Sequence, residues 1–138
     1  MAGVTPNEAE TLIATLLYKR TYHADRDADL MLGLFNNNGG TALSETSVLA
    51  DVVAVTGTGY AAKTLTDASW TVNNDTAAYA AQVFTGGAGG WSAAYGYYIY
   101  TKAAGGTARL LHYEVDASGP RTLAVGDTYT ITPSVAVA

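Results

Sequence analysis

Cysteine is absent from this chain of 138 residues. Without thiols, neither a disulfide-stapled miniature nor a cysteine-ligated zinc module is possible, and the redox compartment is left open. Charge is sparse as well: 14% of residues are charged, with seven Lys plus Arg against 12 Asp plus Glu and a formal net charge of -5. The few cations are spread over the whole length, so no basic stripe exists to neutralise successive phosphates, and nucleic acid is not an expected partner. Apolar runs are broken by Gly, Thr or a charge well before the roughly 20 residues that cross a bilayer, so no membrane helix is expected. Glu8 and Glu10 stand where a secretory signal needs positive charge, and no export signal is read. What remains is a hydrophobic fraction of 49% in a length suited to one domain.

The N-terminal segment carries the marks of a short amphipathic helix. Thr5 suits the N-cap, Pro6 the first helical position, and Glu8 completes a Thr-x-x-Glu capping box. Ala9, Leu12, Ile13, Leu16 and Leu17 form one stripe at three-and-four spacing, and Lys19 and Arg20 follow where the macrodipole favours cations. An isolated helix of this length is marginal, so the stripe must be buried against the rest of the domain, a neighbouring copy or a larger assembly. After about Asp29 the periodicity changes to two: Leu30, Leu32 and Leu34 on one strand face, Met31, Gly33 and Phe35 on the other. A turn follows over Asn36-Asn37-Asn38-Gly39-Gly40. Further strands are expected over 51–56, 60–65, 69–73, 77–85, 93–102, 107–115 and 128–135, punctuated by glycine-bearing turns. The runs at 93–102 and 107–115 flank a short Ala-Gly-Gly connection and predict an antiparallel hairpin. Its first arm alternates Tyr95, Tyr97 and Ile99 with Gly96, Tyr98 and Tyr100, so both faces are aromatic and must be buried or meet a partner. The chain therefore reads as mainly β, an antiparallel β-sandwich over 29–138 preceded by a helical arm and polar linker over 1–28.

Chemical motifs are few. Gly57-Thr58-Gly59-Tyr60-Ala61-Ala62 matches a dinucleotide fingerprint in letters, but strand and turn residues follow where a helix must hold the pyrophosphate, so it reads as a tight turn. Asp25, Asp27 and Asp29 alternate as in a calcium loop, yet Leu30 replaces the required Gly and Asn36 the closing Glu, leaving a solvated linker. His23 falls in that linker. His112 is placed on one strand face with Leu110 and Glu114, a pair able to orient a tautomer, but no activated nucleophile accompanies it and a polar surface or interface pair is the favoured reading. No His-x-x-x-His spacing supports zinc, and no cofactor is expected. Trp70 and most tyrosines suit the core. Trp91 ends a glycine-rich loop, where an exposed aromatic suits an interface anchor or a sugar-stacking platform.

The strand Leu30-Met31-Leu32-Gly33-Leu34-Phe35 with its Asn-rich loop is followed by Val48-Leu49-Ala50-Asp51 leading to Gly59-Tyr60-Ala61, and by Trp70-Thr71-Val72. Tyr95-Gly96-Tyr97-Tyr98 and the closing Gly126-Asp127-Thr128-Tyr129-Thr130-Ile131-Thr132-Pro133 complete the pattern. In this order of elements the segment from Leu30 to Val135 resembles a family of small structural proteins of tailed bacteriophages. The resemblance implies a jelly-roll-like sandwich without catalytic activity. It also implies a place in the virion after synthesis in the host cytoplasm, as a capsid decoration or cement protein or as a tail or fibre component. Expected partners are further copies of the chain, a trimer above all, and the major capsid protein or tail proteins. The contact residues expected on this basis are Leu12, Ile13, Leu16, Leu17, Trp91, Tyr97, Tyr98 and Tyr100.

Overall fold

The structure is a computed structural model that describes residues 3–9, 26–73, 76–103 and 107–136. Its described strands are β1 (Arg26–Phe35), β2 (Lys63–Leu65), β3 (Thr71–Asn73), β4 (Thr76–Ala78), β5 (Gln82–Thr85), β6 (Gly96–Ala103), β7 (Leu110–Val115), β8 (Thr128–Ile131) and β9 (Ser134–Ala136). All named pairs are antiparallel, in ladders ordered β2-β1-β6-β7, β3-β4-β9 and β5-β8. The fold is thus the mainly β, antiparallel sandwich that the period-two patterning predicts. Leu32, Leu34, Leu65, Tyr97 and Ile99 of the four-stranded sheet meet Phe84, Tyr129 and Ile131 of β5 and β8, with Val55, Trp91, Ala94 and Leu123 sealing the gaps from loops. The hairpin β6–β7 forms as expected.

Two expected long strands are each broken, and the breaks lie opposite one another. The runs 77–85 and 128–135 do pair, as β4 with β9 and β5 with β8, but three residues, 79–81, face two, 132–133. Pro133 sits in that irregularity and has no amide to donate. Its carbonyl accepts from the Tyr79 amide at 2.9 Å, so one bond spans a bulge that would otherwise be a continuous ladder. The strand expected over 51–56 is also corrected. Residues Leu49–Asp51 form a 3₁₀ turn, and only Ala54 bridges to Phe35. Asn37 causes this. Buried to 4% exposure, it donates to the carbonyls of Thr41 and Asp51 and accepts from the Val53 amide, which ties 38–53 into a closed excursion.

That excursion covers the second face of the sheet, where Phe35, Tyr98, Leu110 and Tyr113 pack beneath Val4, Leu43, Leu49 and Val52. The sheet is therefore buried on both sides. Two glycine–aromatic exchanges across β1 and β6 make this face close. Gly33 pairs with Tyr98 and Phe35 with Gly96, so each ring lies over a residue without a side chain. At the other end of the chain, Asn7, Glu8 and Ala9 are helical and Ala9 is buried, while the stripe residues Leu12, Ile13, Leu16 and Leu17 lie outside the described residues. Glu8, expected in a capping box, directs both carboxylate oxygens to the start of β7, at Arg109 Nη1 and the Leu110 amide.

The glycine positions yield a graded prediction. A Cβ on Gly33 would stand 2.6 Å from the Tyr98 ring, and one on Gly96 would stand 2.0 Å from the Glu114 carbonyl oxygen. A ring can tilt away, but a paired backbone cannot without parting β6 from β7. Gly33→Ala is expected to cost about 1–3 kcal/mol in urea denaturation, and Gly96→Ala more than that.

Candidate functional site

The last residues of β7 and the turn beyond it gather the densest polar cluster among the described side chains. Period two places Glu114 and Asp116 toward β8. Asp116 Oδ1 then accepts from the Ser118 amide at 2.8 Å, an Asx turn that reverses the chain, with Gly119 at φ 87 taking the left-handed position. The reversal returns Arg121, whose Nε donates to Asp116 Oδ2 at 2.8 Å and whose guanidinium lies 5.0 Å from the Tyr129 ring centroid. Tyr129 Oη donates to the same carboxylate oxygen at 2.9 Å, and Tyr97 Oη donates to Glu114 Oε2 at 3.0 Å. Thr130 and Thr132 complete the rim of a shallow cleft of about 230 Å³.

The electrostatics follow from these bonds. Burial raises the Tyr97 phenol above its usual range, and the charge and hydrogen bond of Glu114 raise it further. Tyr129 is raised in the same way by burial and by Asp116. For Asp116, burial alone raises the carboxyl, but hydrogen bonds from Arg121, the Ser118 amide and Tyr129 outweigh it and hold the group below the ordinary range. Both phenols stay protonated as donors and Asp116 stays charged as acceptor. The cluster can thus hold a turn and present Glu114 Oε1, the outer guanidinium nitrogens and two threonine hydroxyls to polar groups. Asp116, Arg121 and Tyr129 were not singled out from the sequence. The signal that could have found them is Asp116-x-Ser118-Gly119, an Asx-turn pattern that aims a carboxylate back at its own strand.

His112 does not join this cluster. It pairs with Ile99, its ring centroid is 5.9 Å from that of Tyr97, and it is 3% exposed with neither ring nitrogen hydrogen-bonded. Burial lowers the imidazole to about 4. The expected pairing with Glu114 does not form, since that carboxylate accepts from Tyr97. Nor does Leu110 share the His112 face: β7 carries an extra residue at Leu111, so Leu110 pairs with Tyr100 and joins the opposite core.

Three of the aromatic contact candidates lie inside the fold of the single chain. Trp91 is 6% exposed, with its indole N–H donating to the Thr58 carbonyl at 2.9 Å and its ring edge-on to Tyr60. Loops are expected at the surface, but here three of them stack over the indole. A Cβ on Gly87 would lie 1.9 Å from the Thr58 carbonyl oxygen and one on Gly57 2.3 Å from the indole. Glycine permits this closeness, and the tryptophan ends inside. Tyr97 and Tyr98 are likewise buried, one in each core, whereas Tyr100 is half-buried and stacked on Tyr98. Above Trp91, residues Gly89, Gly90, Leu123, Ala124 and Val125 line an open apolar hollow, with Val125 64% exposed.

Among the described residues no three His, Asp or Glu side chains are grouped to hold a metal ion, and no helix is long and apolar enough to cross a membrane. Comparison with protein-family models, with curated proteins and with solved structures finds no match.

Acid should destabilise the fold in two limbs. The folded imidazole of His112 titrates near 4 and the unfolded one near 6.5, so the unfolded chain takes up its proton first and stability falls between those values, by about 3 kcal/mol. Asp116 has the opposite sense: its depressed carboxyl stabilises the fold above the ordinary aspartate range, and that contribution disappears as the pH drops below about 4. Urea titrations from neutral pH downward are expected to show the upper limb flattened in His112→Leu and the lower limb flattened in Asp116→Asn. An unchanged upper limb in His112→Leu counts against the buried imidazole as its source.

Proposed function

We propose that this chain is a structural, adhesive module of a tailed-phage virion, a capsid decoration or cement protein that acts as a trimer without catalysis. The single observation that carries the adhesive reading is the set of large apolar side chains held at the surface: Val48, Val53, Val83, Val115 and Val125, between 41% and 64% exposed. Four-stranded sheet and core are already covered by the chain's own segments, so these valines are spare contact area at loops and strand edges. The order of β elements from Leu30 to Val135 supports assigning that area to a virion. Apolar patches of this size bind weakly one at a time. A trimer that straddles neighbouring capsomers engages several at once, and each further contact forms at high effective concentration. Release then requires all contacts to open together, which stiffens a pressurised shell.

A tail or fibre component would use the same surface on a different partner. The carbohydrate-binding alternative loses the platform it was built on, because Trp91 is buried and already bonded through its indole.

Light scattering of the purified chain is expected to give a trimer, and cryo-electron microscopy of the parent particle is expected to find many copies on the shell. Val48→Asp with Val125→Asp should leave the circular dichroism unchanged and weaken attachment to the particle at least tenfold. A stable monomer with no copy on the head counts against the decoration reading, and copies confined to the tail move the assignment there.

A further inference from the structure

The described N-terminal residues approach β7 along the edge that β6 does not use. Val4 and Tyr113 exchange both backbone bonds, at 2.9 Å from the Val4 amide and 3.2 Å from the Tyr113 amide. Glu8 bonds the Leu110 amide and Arg109, and the Asn7 amide donates to the Glu45 carbonyl at 2.8 Å. Just before the first of these attachments Gly3 lies directly on His112: a Cβ there would stand 2.0 Å from the imidazole Cε1 and 2.3 Å from Nε2. No side chain larger than hydrogen could close over the ring so tightly. The imidazole is thus enclosed by the N-terminal segment on one side and by the β6–β7 ladder on the other, with both nitrogens unpartnered.

We propose that residues 3–9 are an acid-released latch: the segment keeps the His112 imidazole dry, and protonation of that imidazole displaces it from the edge of β7.

A charged imidazole must regain water or find a counter-charge, because leaving it dry is costly. The titratable groups on the elements around it are Tyr97 of β6, Glu114 further along β7, and Glu8 with Arg109 at the latch. None of them hydrogen-bonds the ring, and burial is what lowers its basicity. Tyr97 and Glu114 are bonded to each other, and Glu8 is engaged with Arg109 and Leu110. Water must therefore come in. Opening from the β6 side breaks the ladder that joins both cores, whereas opening at the latch breaks, among the described residues, one pair of backbone bonds, one amide bond and the Glu8 contacts, and uncovers Val4, Pro6 and Ala9. The latch is the cheaper route because it leaves the β1–β6–β7 ladder intact. Its departure bares the backbone of Leu110 and Tyr113, an unpaired strand edge open to addition by another strand.

Amide exchange on the full chain, corrected for the intrinsic pH dependence, tests this at pH 7.5 and pH 5. An opening that takes the imidazole from about 4 to 6.5 becomes about thirtyfold more populated over that interval. The amides of Val4, Asn7, Leu110 and Tyr113 are therefore expected to lose about thirtyfold in protection and to exchange well ahead of those of the β1–β6 ladder at both pH values, with little dependence on added urea, because the ladder amides wait for global unfolding. His112→Leu should hold the latch amides equally protected at both pH values. Glu8→Gln, which leaves the imidazole untouched, should lower their protection at both and retain the ratio. Latch amides that exchange no faster than those of β1 and β6, or a pH dependence that survives His112→Leu, overturn the latch. Should His112→Leu not fold, the gap in absolute protection between latch and ladder amides in the unaltered chain, and its insensitivity to urea, decide alone.

Discussion

Across the β1–β6 ladder, aromatic volume on one strand is matched by glycine on the other, and the two cores depend on that match. Gly33 receives the ring of Tyr98 and Gly96 that of Phe35. Phe35 then meets Tyr113 edge-on at 6.3 Å, and Tyr98 stacks on Tyr100 at 5.2 Å. The second face is thereby filled by a thin aromatic layer that a loop can cover, rather than by a full sheet. On the first face Leu32, Leu34 and Ile99 stay free to meet β5 and β8. One ladder thus anchors a sandwich on one side and a loop-covered core on the other.

Polar groups make the loop cover possible. A buried excursion carries backbone amides and carbonyls that need partners, and Asn37 supplies three bonds from a single side chain. Tyr60 does similar work just before β2 begins, where the β1–β2 ladder stops short of Leu34, its hydroxyl accepting from the Leu34 amide at 2.8 Å. At the opposite end Asp116 gathers Ser118, Arg121 and Tyr129 around one carboxylate. His112 stands apart from this pattern. It is buried with no bond at all, a cost of about 1–3 kcal/mol for a polar group and more once charged. A leucine would pack there without that cost, which is why the position reads as a sensor rather than as filler.

Much of the fold was legible in the sequence because period two and glycine punctuation are local signals. Leu30 to Phe35 became the inner part of β1, and the 93–115 hairpin became β6 and β7. What was not legible depends on long-range pairing. The facing bulges at 79–81 and 132–133 exist only because the two runs pair with each other. The extra residue at Leu111 reverses which face Leu110 occupies, and no alternation rule reveals a bulge before its partner strand is known. Trp91 was misread for a related reason: a glycine-rich loop signals exposure when taken singly, but three such loops packed together make an interior. The polar cluster around Asp116 was missed because its members come from separate strands, Asp116 itself lying 13 residues from Tyr129, and meet only once the end of β7 is beside β8.

Burial on both faces also decides where this protein can meet anything else. A sheet with one bare face would offer that face, but here partners are left with loops and strand edges. Those edges are managed in different ways. β2 and β3 present three residues each, too short to template another strand. β7 presents six, which is long enough to be a hazard, and this is the edge that Val4 occupies. The N-terminal residues therefore do for β7 what shortness does for the others. Covering an edge with a strand from the same chain, over a side chain that cannot stay buried once charged, makes the protection conditional. The pairing capacity of β7 is withheld while His112 is neutral and becomes available when it is not.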